Sequence, residues 1–268
     1  MKHILIADDE RDSATHDRLG FALAKAKRLG GEAATLEVVQ TAYSEVPESA
    51  TPMRESARDH LRARMHAGEV TKLREFLNAH DGVEGDVIWT KTPADAFVCR
   101  AEARNSELIV KALGHHSPLK DVFHTPTDWS LMRQATCPVL TVRDIDWKPK
   151  PIVLAAVAAE DVEHENLNRA ILKAAGDVTG QLEGELHVVA VYPNVAHAID
   201  QNQVGIDYEP MVREMRETRE NAISGWQAEL GLTIDKVHII AGPAAAAIAD
   251  LAAHIHADLV VLGTAGRS

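Results

Sequence analysis

An internal duplication constrains the fold of this chain more than any other feature, because its second half repeats its first at an offset of about 150 residues. Leu36 corresponds to Leu186 and Pro93-Ala94 corresponds to Pro243-Ala244. The 268 residues are enough for two domains that each bury their own core. We therefore predict one domain over residues 1–147 and a second over residues 148–268.

Within each half, short apolar runs with β propensity alternate with segments of helical period, and this alternation predicts a parallel sheet. In the first half we predict five strands, at residues 4–7, 36–41, 87–90, 108–110 and 139–142. Its helices are predicted over residues 13–29 and 51–78, and from Pro93 and Thr125 onward. In the second half, helices are predicted around residues 166–178, 209–230 and 243–256.

The second copy is shorter than the first. The first half continues beyond its fourth strand through a loop, a helix and a fifth strand, whereas the second ends at Ser268, shortly after its fourth strand. We therefore expect the second domain to lack the last helix and strand, as in a truncated chain, and to expose its fourth strand at the sheet edge.

Composition excludes several classes of function. Forty acidic residues against 28 basic ones give a formal net charge of −12, which repels nucleic acid and anionic lipid. Two cysteines are too few for a disulfide framework, and no run approaches the ~18 apolar residues of a membrane span. We expect a soluble cytoplasmic protein without a nucleic-acid partner.

The stretch KHILIADDE at the N-terminus places three acids directly after an apolar strand. Signalling receiver domains begin in the same way and hold Mg²⁺ on these carboxylates. They also need a phosphoacceptor aspartate at the end of a third strand, and in this chain Asp59 falls inside a predicted helix instead. The spacing therefore argues against a receiver domain.

The second half ends with LGTAGRS, in which two glycines with the spacing G-x-x-G follow the fourth strand. In an open α/β sheet, ligands bind beyond the carboxyl ends of the strands where the strand order reverses, between the first and fourth strands of a 3-2-1-4-5 arrangement. Glycines there let backbone N–H groups approach a phosphate. The acids after the first strand and these glycines are both predicted to lie at such switch points.

The motifs together resemble the universal stress protein family, in its tandem two-domain (E-like) type. The resemblance covers the whole chain and is carried by ILIADD, LEVVQTAY, LIVKALGHH, TPTDW and CPVLTVRD in the first half, and by LHVVAVYP and ADLVVLGTAGRS in the second. It implies two Rossmann-like, adenine nucleotide alpha hydrolase-like α/β domains, each with a five-stranded parallel sheet. It also implies dimer-like pairing through the fifth strand, either between the halves or between chains.

Nucleotide-binding members of the family resemble the pattern G-2x-G-9x-G-[ST] after the fourth strand, with an aspartate after the first. Here the pattern is divided between the halves. Asp9, beside Asp8, matches the aspartate, but Ala112 and His115 occupy the glycine positions and Thr125 stands near the third. In the second half Gly263 and Gly266 match, while Ala158 replaces the aspartate and the rest of the motif is missing.

The predicted ligand-binding residues therefore fall in two groups. The first consists of Asp8, Asp9, Ala112, Gly114, His115, His116 and Thr125, and the second of Gly263, Thr264, Gly266, Arg267 and Ser268. Each of these residues also has an interpretation that involves no ligand. The aspartates would be solvated carboxylates at a strand end, the histidines polar loop residues, and Thr125 a helix N-cap. Adjacent histidines with no third ligand at a fixed spacing do not predict a metal site.

No G-x-S-x-G elbow and no G-x-x-x-x-G-K-[ST] phosphate loop occurs in the sequence, so no catalytic constellation is predicted. The function expected is stress-response binding of a small ligand, either a nucleotide such as ATP or an amphipathic metabolite. Two alternatives remain open at this point: a slow Mg²⁺-dependent nucleotide hydrolase, and a dimeric scaffold that binds no ligand.

Overall fold

The structure is a computed structural model. It describes residues 1–9, 15–43, 55–113, 126–160, 162–194 and 209–264. The chain divides into two compact units, Met1–Ile145 and Asp146–Ser268.

The first unit alternates strands and helices as the sequence predicts. Its described elements are β1 (His3–Asp8), α1 (Thr15–Gly30), β2 (Thr35–Ala42), α2 (Glu55–Leu77), β3 (Val83–Trp89), α3 (Pro93–Arg104), β4 (Leu108–Ala112), α4 (Pro126–Gln134) and β5 (Val139–Val142). The five strands form a parallel sheet in the order β3-β2-β1-β4-β5, which confirms the predicted arrangement. All six residues of β1 are buried, as is typical of the central strand of a sheet covered on both faces.

Helix α1 ends where the sequence predicts. Gly31 adopts a left-handed φ of +63° and its N–H donates to the carbonyl of Lys27, a glycine cap that stops a helix. The preceding Gly30 lies so close to the side chains of Ala34 and Ile4 that a Cβ there would collide with them. The glycine pair therefore both ends α1 and lets it turn tightly into β2.

The second unit repeats this order with one strand fewer among the described residues. Its elements are β6 (Ile152–Val157), a 3₁₀ turn (Val162–His164), α5 (Glu165–Leu182), β7 (Glu185–Tyr192), α6 (Glu209–Leu230), β8 (Lys236–Ala241), α7 (Ala244–His254) and β9 (Leu259–Val261). The parallel sheet has the order β8-β7-β6-β9, with the predicted fourth strand at one edge. On this strand and just beyond it, Val260 and Leu262 are exposed.

Several elements differ in length from the prediction, and β3 and α5 show the difference most clearly. Strand β3 begins at Val83 rather than at residue 87, because Val83 to Gly85 pair with Leu36 to Val38 although Glu84 and Gly85 do not favour a strand. Helix α5 continues to Leu182, four residues past the predicted end, and closes at Glu183 in a left-handed conformation, with cap N–H bonds to the carbonyls of Thr179 and Gly180.

Charged residues are also built into the amino edge of the first sheet. Glu37 of β2 is buried and accepts hydrogen bonds from both Nε and Nη2 of Arg100, at 2.9 and 2.5 Å. His3 of β1 lies 3.5 Å from the same carboxylate, and burial lowers the pKa of His3 below its usual value. This network ties α3 to the sheet at the end away from the predicted ligand sites.

None of the helices in the described ranges is both long enough and apolar enough to cross a membrane.

Candidate functional site

The switch point of the first sheet is occupied by a buried ion triad. Lys111, on β4, donates a hydrogen bond of 2.6 Å from Nζ to Oδ1 of Asp9, just past β1. Its Nζ also lies 3.1 Å from Oδ1 of Asp128 on α4. The side chains of Lys111, Asp9 and Asp128 are 3, 7 and 5% exposed, so the three charges are withdrawn from water together.

The electrostatics of this triad keep Lys111 charged. Burial alone lowers the pKa of Lys111, but the two carboxylates outweigh it and hold the pKa above its ordinary value. A buried ammonium between two carboxylates is neutralised without a ligand. Asp9, which the sequence predicts as a ligand contact, therefore already has a partner inside the protein.

Asp8 points to the other face of the sheet and has a different environment. Burial, and then the neighbouring Asp9 carboxylate, raise the pKa of Asp8 to about 7, against the opposing effects of Lys111 and Arg18. A cavity of about 10 Å³ adjoins it, which is room for about one water molecule. Its lining residues are Ala7, Asp8, Asp9, Arg18, Leu19, Ala22 and Ala112.

The structure thus brings three of the predicted first-half residues together, namely Asp8, Asp9 and Ala112. The other predicted residues of this group, Gly114, His115, His116 and Thr125, lie outside the described residues.

The switch point of the second sheet has lost this triad. Ile4 pairs with Leu108 in the first sheet and Val153 with Leu259 in the second, so counting along the strands makes Ala158 the counterpart of Asp9 and Leu262 the counterpart of Lys111. Both the acid and the base of the first domain are replaced by apolar residues here.

This second switch point is open. Ala158, Leu262 and the predicted residues Gly263 and Thr264 are all exposed. A Cβ at Gly263 would lie 2.8 Å from Leu167 and 3.0 Å from Ile171, so glycine lets the chain leave β9 close against α5. The remaining predicted residues, Gly266, Arg267 and Ser268, lie outside the described part of the chain.

Asn168, on α5, fixes the backbone at this edge. Its side chain is buried, its Oδ1 accepts from the N–H of Ala158 at 3.0 Å, and its Nδ2 donates to the carbonyl of the same residue at 2.9 Å. One amide thus satisfies both polar groups of the residue that follows β6. The floor of the open switch point is held rigidly.

A buried arginine lies at the same edge of the second sheet. Arg219, on α6, has a side chain that is 5% exposed, and its Nη2 lies 3.0 Å from Oε2 of Glu160. Its Nη1 donates to the carbonyl of Met215, and its guanidinium carbon lies 5.8 Å from the ring centroid of Tyr192, at the end of β7. Arg219 is therefore held between the carboxyl ends of β6 and β7.

Sequence reasoning missed Lys111, Asp128, Asn168 and Arg219 as residues of these sites. A signal existed for Lys111, because it is the one charged residue in the apolar run LIVKA. No signal marks Arg219, since α6 carries many charged residues and its sequence does not say which one is buried.

Several known proteins are similar to this chain. A family model described as "Universal stress protein family" matches residues 1–143 and 153–268. A universal stress protein E homolog of Haemophilus influenzae is 30% identical over 263 residues, covering 92% of this chain and 84% of the relative. Universal stress protein E of Escherichia coli K12 is 28% identical over 256 residues, covering 90% of this chain and 78% of the relative.

Solved structures show the same architecture. A Pseudomonas aeruginosa UCBPP-PA14 protein, provisionally described as a universal stress protein, matches with a TM-score of 0.66 and 25% identity over 100% of this chain and 84% of that one. A universal stress protein from Archaeoglobus fulgidus matches in fold with a TM-score of 0.59 and 18% identity, covering 96% of this chain and 85% of that one.

Proposed function

This chain belongs to the universal stress protein family, and from that premise we propose that it serves the stress response by binding a small ligand, without transforming it, at the switch point of its second domain. The ligand is a nucleotide or an amphipathic metabolite. The observation that carries the proposal is the contrast between the two switch points: Lys111 fills the first, whereas Ala158 and Gly263 leave the second exposed.

Location in the sheet supports the proposal. Ligands of open α/β sheets bind beyond the carboxyl ends of the strands where the order reverses, which in the second sheet is between β6 and β9. Ala158 follows β6 directly, and Gly263 lies two residues beyond the end of β9. The backbone beneath is already satisfied by Asn168, so a ligand meets a preformed surface and little ordering free energy is lost on binding.

The same contrast disfavours ATP hydrolysis in the first domain. The hydrolase alternative requires Asp9 for Mg²⁺-dependent phosphate release, but Asp9 is hydrogen-bonded to Lys111 and 7% exposed. We therefore propose a binding protein rather than an enzyme. We also propose a cytoplasmic location, in keeping with two cysteines that are both free thiols.

A ligand-free scaffold is the second candidate, because one observation favours it. Among the described residues, strand β9 is the edge of the second sheet, and Val260 and Leu262 are 42 and 55% exposed. An exposed strand edge with apolar side chains can pair with another chain. Pairing of copies through such an edge is compatible with ligand binding and does not require it.

Native mass spectrometry of the full chain, purified without added ligand, tests the proposal. We expect one small molecule per chain, released on denaturation and then identified by its mass. Ala158→Phe, which adds a ring at the exposed switch point, should reduce occupancy at least about tenfold, since a ring there excludes the ligand sterically.

Ala253→Phe is the matched control, because it adds the same ring at an exposed position of α7 and should leave occupancy unchanged. An empty wild-type chain that still forms stable dimers would favour the scaffold. Mg²⁺-dependent phosphate release that Asp9→Ala abolishes would favour the hydrolase.

A further inference from the structure

Arg219 is bound in a way that leaves part of its hydrogen-bonding capacity unused. The guanidinium side that carries Nε and Nη2 presents two parallel N–H groups, which match the two oxygens of a carboxylate or phosphate. In Arg219 only Nη2 has an acceptor on that side, Oε2 of Glu160. Its Nε is buried and has no hydrogen-bond partner in the part of the chain that the structure describes.

Another arginine of the same chain uses both of these N–H groups, although on a single oxygen. Arg100 directs both Nε and Nη2 to Oε1 of buried Glu37, at 2.9 and 2.5 Å. A buried donor without an acceptor destabilises a protein, so the incomplete use of Arg219 needs an explanation. An anion bound through two oxygens would supply one.

The position of Glu160 allows such an anion to displace it from Arg219. Its side chain is 46% exposed, whereas that of Arg219 is 5% exposed, so the carboxylate covers the guanidinium from the solvent side. Because the carboxylate of this pair is half exposed, Glu160 can rotate into water, and a ligand anion that takes its place keeps the buried guanidinium paired. The guanidinium itself is fixed by the carbonyl of Met215 and the ring of Tyr192.

We propose that Arg219 is the anion-binding residue of the second domain, and that a terminal phosphate or carboxylate of the ligand displaces Glu160 and takes both Nε and Nη2. This inference rests on the proposed function and deepens it, because it makes the ligand anionic. A chain of formal net charge −12 repels anions in general. A fixed, buried guanidinium provides the local positive charge that such a ligand needs.

The test follows the Nε–H signal of Arg219 by ¹H–¹⁵N NMR in the full chain, stripped of bound small molecules, during titration with inorganic phosphate and, separately, with acetate. We expect saturable shifts of this signal. The probe that binds more tightly tells whether the ligand's head group is a phosphate or a carboxylate. Glu160→Gln removes the competing carboxylate and should lower the dissociation constant by about three- to tenfold.

Matched controls separate this effect from general electrostatics and from misfolding. Glu217→Gln removes the same charge from an exposed position of α6 and should leave the dissociation constant within about twofold. Arg219→Lys removes the Nε–H group that is followed by NMR, so binding to this variant and to its control is measured by isothermal titration calorimetry. Arg219→Lys keeps the charge but loses the two-pronged geometry and should abolish saturable binding, whereas Arg216→Lys, exposed on the same helix, should not.

Equal affinity of wild type and Glu160→Gln for both probes, or no shift of the Nε–H signal with either, would overturn the inference. These outcomes leave the proposed function standing if native mass spectrometry finds a bound molecule that Ala158→Phe displaces. Conversely, tight probe binding at Arg219 in a chain that purifies empty would uphold the anion site and count against the wider proposal.

Discussion

Lys111 shows how a single residue can occupy a position where a ligand is expected. Asp9 follows β1 at the switch point, and Lys111 on the neighbouring strand donates a hydrogen bond to its carboxylate. In the first domain this aspartate therefore takes part in an internal charge pair. The same pair of positions in the second domain, Ala158 and Leu262, carries no charge.

Replacing Lys111 by methionine should strongly destabilise the protein. The variant leaves the carboxylates of Asp9 and Asp128 buried without their cation, and removal of one partner of a buried pair costs about 3–5 kcal/mol. Urea unfolding followed by circular dichroism measures the difference. Lys150→Met, whose ion pair with Glu185 is largely exposed, should leave the urea midpoint almost unchanged. Equal losses in the two variants would show that the triad is not a buried unit.

Asp8 should make stability depend on pH in the direction opposite to most carboxylates. Its pKa in the folded chain is raised to about 7, whereas that of an aspartate in an unfolded chain is about 3.9. Between these values the folded chain keeps a proton that the unfolded chain has lost, so the contribution of Asp8 to stability falls as pH rises through this window and levels off above about 7.

Asp8→Asn removes this titration. From pH 4.5 to pH 8 the free energy of unfolding of the variant should rise relative to wild type by roughly 1–4 kcal/mol. Urea midpoints at several pH values measure it, with Asp81→Asn as the control at an exposed position. Parallel pH profiles of wild type and Asp8→Asn would contradict the prediction.

At the scale of single elements, the turn from β6 to α5 depends on one amide. Asn168 lies in the second turn of α5 and bonds to both polar groups of Ala158. Loss of these bonds leaves backbone groups at the switch point without their buried partner, which costs about 1–3 kcal/mol.

Asn168→Ala should therefore lower the free energy of unfolding by about that amount, and it should also speed amide exchange of residues 157–160. Hydrogen exchange read by mass spectrometry reports the second effect. Asn166→Ala, exposed on the same helix, is the matched control and should alter neither quantity appreciably. Unchanged exchange in Asn168→Ala would mean that the turn is held by other contacts.

The elements themselves could largely be predicted from the sequence, because they follow from local periodicity. Strand β5 was predicted over the residues at which it is found, 139–142, and α6 over residues 209–230. The sequence predicts β3 too short, since Glu84, Gly85 and Asp86 have low strand propensity and pair with β2 all the same. Pairing between strands that are distant in sequence is invisible to a local pattern.

The sites were harder to predict, for a physical reason. The sequence predicts that Asp9 and Gly263 lie at switch points, because strand ends meet there whatever the side chains do. Which charges are buried, and against which partner, depends on the packing of side chains from separate elements. Lys111 and Asp128 come from a strand and a helix, and Arg219 and Glu160 come from a helix and a loop.

For the molecule as a whole, duplication of one α/β domain allows a division of roles. Two copies of a fold need only one ligand site, so the other switch point is free to acquire internal charge pairs that stabilise its own domain. In the described residues this has happened in the first unit, where the cavity is about 10 Å³, and not in the second. We predict one ligand per chain, bound by the second domain.

Hydrogen exchange of the full chain as purified, compared with the same chain freed of small molecules, tests this most directly because it needs no knowledge of the ligand. We predict slower amide exchange in the purified chain at residues 157–168 and 262–264, and unchanged exchange at residues 4–9 and 108–113. Protection at residues 4–9 and 108–113 instead, or identical exchange throughout both samples, would contradict it.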